Sequence, residues 1–229
     1  MIDFLFQIYP YCADIIYAAL IFAQKYKSKN NQYIVDKKEQ YIYDRLFRFG
    51  NNLFHWSLVL LMIGHFLGLL TPERLYTILI TVKEKQILAI YIGGCAGIIC
   101  FIGMTIMVLE RILNKKLWVT NSVSRFVMLF MVYVQLILGL LSILVSRKHL
   151  DGSQMLDITK WLQHLVILNA NAYQSLASVN FIYKLHIILG FSILLVFPFT
   201  NLVYVINLPL RHITNVGYKN PNNIKLLKG

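Results

Sequence analysis

The chain is 229 residues long, 58% of them hydrophobic and only 14% charged, with 22 Lys and Arg against 10 Asp and Glu. A soluble domain carries about 25% charged residues, so this composition and a mean hydropathy of +0.61 exclude an ordinary water-soluble globule. The net charge of +12 does not point to nucleic acid, because Lys and Arg lie between apolar stretches rather than on one soluble face.

A helix that crosses ~30 Å of hydrocarbon needs ~20 mostly apolar residues. Five windows meet that demand, at about 4–24, 50–70, 87–109, 126–145 and 185–207, and what remains has no room for a large soluble domain. The expected architecture is therefore a single domain over 1–229, an all-α integral membrane protein with five transmembrane helices.

The first window has no basic residue ahead of it and no small-residue cleavage pattern after it. It reads as a retained span rather than a signal peptide. Residues 25–49 follow with seven Lys and Arg, and 110–125 and 208–229 hold four each, whereas 71–86 and 146–184 on the other side hold three and four. The positive-inside rule then places the N-terminus outside and the C-terminus in the cytoplasm.

The second window carries His55 and His65 and is ended by Thr71-Pro72, since Pro does not continue a helix freely. Gly64 and Gly68 flank His65 at the GxxxG spacing that lets membrane helices approach closely. Lys85 stands where the next loop enters the third window, which suits an interfacial lysine whose stem lies along apolar surface. Within the third window Gly93, Gly94 and Gly97 read as close-packing positions. Cys12, Cys95 and Cys100 fall inside windows, with no CxxC or CxxCH. That disfavours a c-type haem attachment or a Cys-ligated cluster and suits small apolar filling. Arg111 and Lys184 sit at membrane edges as anchors or as partners for an anionic cofactor group. In the segment 146–184, Met155, Ile158, Leu162, Leu165 and Val166 recur at helical spacing beside Trp161, which predicts an amphipathic helix at the outer interface over about 154–167. His149 and His164 fall in that interfacial region, and the tail from Asn215 is polar.

An imidazole in hydrocarbon needs a partner, so His55, His65 and His186 are functional candidates. A hydrogen bond across helices would be the plain explanation for any one of them. Spans two and five run antiparallel, which brings His65 and His186 to the same membrane depth on different helices. Two imidazoles facing each other across a gap are what bis-His haem ligation requires. Zinc suits the pattern less well, for want of a third and fourth ligand nearby. His55 lies ten residues before His65, ~15 Å along a helix. Its mate belongs eighteen residues, or five turns, past His186, where the chain has Tyr204.

Several stretches together resemble the gamma subunit of respiratory nitrate reductase, a membrane cytochrome b subunit. They are IYPY at 8–11, NLFHWSLVLLMIGHFLGLLTP at 52–72, VKEKQ at 82–86, GGCAGIICFIG at 93–103, LGLL at 138–141, HLDGS at 149–153 and KLHIILGFSILLVFPFTNLVYVINLP at 184–209. The resemblance implies two b haems between spans two and five. The outer haem would be held by His65 and His186, and the inner one by His55 and the residue at position 204. It further implies that Lys85 hydrogen-bonds quinol near the outer haem, with Gly64 lining the same site. Electrons would pass inward to an iron–sulfur beta subunit and then to a molybdenum-containing alpha subunit that reduces nitrate. The setting would be the bacterial cytoplasmic membrane. Tyr204 departs from the family pattern and has three readings: Tyr ligates the inner haem, as in catalase; His55 holds a haem alone or with another ligand; or the inner haem is absent. His212 is no easy substitute, being eight residues, or ~12 Å, beyond position 204. Competing functions are a cytochrome b anchor of another respiratory oxidoreductase, such as a formate dehydrogenase, hydrogenase or sulfite-type reductase, and a haem-free membrane anchor or transporter. Transporters usually show broken helices and paired repeats, and neither is visible here.

Overall fold

The computed structural model describes residues 4–28, 45–113, 123–148 and 150–199, and every regular element among them is helical. A π-helical turn at Phe4–Ile8 leads into α1 (Tyr9–Ser28). Then come α2 (Arg45–Leu70), the single turn α3 (Glu73–Tyr76), α4 (Val82–Leu113) and α5 (Val123–Ser146). The chain continues through α6 (Ser153–Val166), a 3-10 turn at Ala172–Leu176, α7 (Phe181–Val196) and a last 3-10 turn at Phe197–Phe199. Three stretches are long and apolar enough to cross a membrane: Arg45–Leu70, Val82–Leu113 and Phe126–Ser146. The first and last expected spans appear as shorter apolar stretches, Leu5–Leu20 and Phe181–Val196. The remainder of the last one, to 207, lies outside the described residues.

Local chemistry sets the boundaries. Thr71-Pro72 closes α2, because the residue before a proline is pushed out of helical geometry. A capping box opens α4. The Glu84 carboxylate accepts from the Thr81 backbone N–H at 2.7 Å and from its hydroxyl at 2.8 Å, while the Thr81 hydroxyl oxygen accepts from the Glu84 N–H at 3.2 Å. The helix therefore starts at Val82, five residues before the apolar window, and takes Lys85 into its first turn. Asn180 caps α7 by accepting from the Ile182 N–H at 3.0 Å.

The most extensive packing is between α2 and α4, and α5 then rests on both α4 and α7. Gly50 and Gly103 let α2 and α4 meet: a Cβ on Gly103 would lie 2.6 Å from the Phe54 nitrogen and 2.8 Å from the Gly50 carbonyl oxygen. Just beyond, Cys100, Met104 and Leu136 form a buried cluster lined by Phe54, Leu58, Leu61, Phe101 and Tyr133. Gly64 and Gly68 do not make the close approach their spacing suggests, for nothing lies within 4 Å of a Cβ at either. Helical spacing names a small face without naming what it meets, and the real crossing is four turns earlier. Gly93 is equally open, while Gly97 faces Leu140 and Gly94 faces Ile143. Trp56, Met62, Phe66 and Leu67 of α2 and Tyr91, Ile98 and Ile102 of α4 are exposed, as lipid-facing positions require.

One end of the bundle is closed by α6. Ile158, Trp161 and Leu165 are buried with Phe6, Ala172, Leu176 and Val179. The Trp161 indole N–H donates to the Phe6 carbonyl at 2.8 Å, and the Gln163 amide donates to the carbonyls of Leu69 and Thr71 at 3.3 and 3.2 Å. The latter bonds satisfy acceptors that the end of α2 leaves without helical partners. Gly152, before α6, has φ +82°, and a Cβ there would fall 2.6 Å from Val82 Cγ1. The HLDGS stretch thus needs its glycine for both conformation and room against the start of α4. At the same end the Gln86 amide donates to the Ser146 carbonyl, and the Tyr183 hydroxyl bonds Ser146 and the Ser142 carbonyl, tying α4, α5 and α7.

Candidate functional site

His65 and His186 come together. Their rings lie 6.2 Å apart between centroids, inclined by 31°, although α2 and α7 are not packed against each other along their lengths. The Nδ1 of His65 is 2.8 Å from the Leu61 carbonyl oxygen, and that of His55 is 2.7 Å from the Asn51 carbonyl oxygen. A carbonyl can only accept, so each Nδ1 donates to it, which leaves Nε2 as the ring nitrogen available to a ligand. That is the usual preparation of a metal-ligating imidazole.

His186 is held from α5. Its Cε1 would be 3.2 Å from a Cβ on Gly139. The Gln135 amide donates to the His186 carbonyl at 3.0 Å and lies 3.4 Å from its Nε2. His186 Nδ1 is buried with no hydrogen-bond partner among the described residues. Such an orphan is costly in an apolar interior unless the ring serves a ligand. Two imidazoles that face each other from separate helices are a side-chain set that could hold one metal between them. Among the described residues no group of three or more His, Cys, Asp and Glu could hold a metal ion. With two imidazoles and no further protein ligand beside them among those residues, the pair could serve a centre whose other ligands come from a planar macrocycle. The open space at Gly64 and Gly68, on either side of His65, leaves room for one.

Lys85 is buried, and its ammonium nitrogen has no hydrogen-bond partner among the described residues. It sits 3.7 Å from the centre of the Tyr76 ring. Burial, and then the Glu73 carboxylate, push the Tyr76 phenol up from its ordinary range, so the ring faces the cation as a neutral phenol. Lys184 turns back to donate to the Ala177 carbonyl at 3.3 Å, and Arg111 lies 5.9 Å over the Phe47 ring. His164 is half-buried on α6. Tyr204, His212 and His149 lie outside the described residues, so His55 is described without its expected mate. Sequence reasoning passed over Gln135, Gly139 and Tyr76. An amide in the middle of an apolar window was the available signal for Gln135, while Tyr76 offered none before the turn after Pro72 was seen.

Comparison with known proteins agrees in kind. The sequence model of the nitrate reductase gamma subunit family matches residues 2–218. The chain is 32% identical over 212 residues to the respiratory nitrate reductase 1 gamma chain of Escherichia coli (strain K12), covering 92% of this chain and 93% of that one. It is 30% identical over 217 residues to the respiratory nitrate reductase 2 gamma chain of the same strain, covering 92% of each. With the nitrate reductase gamma chain of Bacillus subtilis (strain 168), identity is 30% over 166 residues, covering 72% of this chain and 74% of that one.

Proposed function

The chain belongs to the nitrate reductase gamma subunit family, and on that premise we propose that it is the haem b membrane subunit of a respiratory nitrate reductase, oxidising quinol near the outer face. The observation that carries this reading is the facing pair His65 and His186, with ring centres 6.2 Å apart, on two helices that are not extensively packed against each other. These two residues would hold the outer haem. His55 would hold an inner one, with Tyr204 in the place of its second ligand. Haem b supplies one-electron transfer across the bundle when bound. The chain's own residues supply the rest: Gln135 and Gly139 orient His186, Gly64 leaves space beside His65, and Lys85 offers hydrogen bonds to a quinol oxygen. Oxidising each quinol releases two electrons and two protons. In the proposed five-span arrangement the N-terminus is outside, the protons leave on the outer side, and the C-terminus meets the partners. Those partners are an iron–sulfur beta subunit and, beyond it, a molybdenum-containing alpha subunit that reduces nitrate. The proposed setting is the bacterial cytoplasmic membrane.

Reduced-minus-oxidised spectra and haem-to-protein stoichiometry of the purified complex test this reading. A b-type band with two haems per chain is the expected result, and His65→Ala or His186→Ala should remove the outer haem alone. A complex without any b-type band would overturn the proposal, whereas one haem per chain would overturn the inner site only. Co-purification with the subunits of a different oxidoreductase would remove nitrate from the reading and leave the haem sites standing.

A further inference from the structure

Lys85 is only 9% exposed, and its ammonium has no hydrogen-bond partner among the described residues. Its neighbour in sequence, Glu84, is engaged by the backbone and hydroxyl of Thr81 in the capping box. What the cation does have is the face of Tyr76, itself 7% exposed, at 3.7 Å from the ring centre. Two local devices fix this meeting. Pro72 precedes the turn α3 that carries Tyr76, and the capping box starts α4 so that Lys85 falls in its first turn. A buried ammonium needs compensation. The negative face of an aromatic ring gives it in part, without occupying any of the three N–H donors.

We propose that Tyr76 is a positioning residue for quinol: its ring face holds the Lys85 ammonium in place, and a quinol oxygen supplies the hydrogen-bond acceptor that the protein withholds. This rests on the assignment of Lys85 to the quinol site made above. Glu84 spends its hydrogen bonds on Thr81 and forms none with Lys85, so the ammonium is presented to a quinol oxygen with its donors free.

The test is quinol-driven nitrate reduction by the assembled membrane complex, using a short-chain quinol and reading KM and kcat separately at measured haem content. Tyr76→Leu should raise KM by about threefold to thirtyfold, the range a cation–π contact spans, with kcat little changed. Tyr76→Phe, which keeps the ring, should restore most of the affinity. Lys85→Leu should also raise KM, and combining it with Tyr76→Leu should add little, because the ring acts only through the lysine. If Lys85→Leu raises KM and Tyr76→Leu does not, the role of Tyr76 is overturned and the quinol assignment stands. If Lys85→Leu leaves KM unchanged, the assignment of Lys85 itself is overturned, and this inference with it. Should Tyr76→Leu lose haem, a ring-fluorinated phenylalanine at position 76 replaces it in the test. It keeps the shape while weakening the negative ring face, and a KM equal to that of Tyr76→Phe would overturn the proposal.

Discussion

Substituting Gly103 by Ala adds one methyl group where α4 crosses α2. That carbon would lie 2.6 Å from the Phe54 nitrogen, 2.8 Å from the Gly50 carbonyl oxygen and 3.0 Å from the Phe54 Cα. All three are backbone atoms, so no change of rotamer relieves the contact. Ordinary separation is about 3.5–4.0 Å, and α2 has to retreat by about 1 Å to reach it. Nor does the opposing residue leave slack, because a Cβ on Gly50 would be 2.7 Å from Ile106 Cγ2. Overpacking of this kind costs about 1–3 kcal/mol. In a protein of this size that corresponds to a fall in unfolding midpoint of roughly 2–12 °C. The displaced segment includes His55, next in sequence to Phe54, so the spectrum of any haem held there should change while the His65–His186 pair keeps its own. The assay is thermal unfolding of the solubilised complex, followed by haem absorbance. Gly93→Ala is the control: with nothing within 4 Å of its Cβ, it should not lower the midpoint. An unchanged midpoint in Gly103→Ala, or a lowered one in Gly93→Ala, would refute the reasoning.

Gly152→Ala combines a left-handed backbone with a 2.6 Å approach to Val82 Cγ1, and should lose about 1–3 kcal/mol. Faster proteolysis between α5 and α6 would register it, and wild-type resistance would contradict it. Trp161→Phe removes the donor to the buried Phe6 carbonyl and should cost about 1–3 kcal/mol; a midpoint equal to wild type would show that this bond does not hold the N-terminal turn. Gly139→Ala places a carbon 3.2 Å from His186 Cε1. The ring has to shift by a few tenths of an ångström, so the potential or spectrum of the outer haem should change with haem content retained. An identical spectrum would place the ring elsewhere.

The helices that cross by length were legible because α2, α4 and α5 consist of little but apolar residues over the required distance. Their ends were less so. The apolar window placed the third span at 87, whereas hydrogen bonds between Thr81 and Glu84 start the helix at Val82. A hydropathy scan averages over residues and cannot weigh a cap, though T-x-x-E was there to be read. The pairing of His65 with His186 was legible from membrane depth alone, since residue spacing converts directly into height along antiparallel helices. Which glycines meet was not, because Gly64 and Gly50 share a helix and only the neighbour's path decides between them. The buried face of α6 followed the expected period at Ile158 and Leu165, yet its partner, Phe6, lies more than 150 residues away. No local pattern names such a partner. Tyr204, which spacing sets at the place of His55's mate, lies outside the described residues.

The closure of the bundle by α6 also orders events in time. The Gln7 amide donates to the Asn169 carbonyl, its oxygen accepts from the Tyr173 N–H, and the Tyr11 hydroxyl reaches the Leu165 carbonyl. Each of these bonds spans more than 150 residues, so the N-terminal helix finds its partners only in a much later part of the chain. Closing so long a loop is slow relative to forming the helices themselves. The N-terminal helix gains these partners only once residues 161–173 are present, and α7 with His186 follows directly behind them in sequence. Under the proposed function, a flat, apolar cofactor would therefore meet His65 from the side, before α6 and α7 dock and close that end of the bundle.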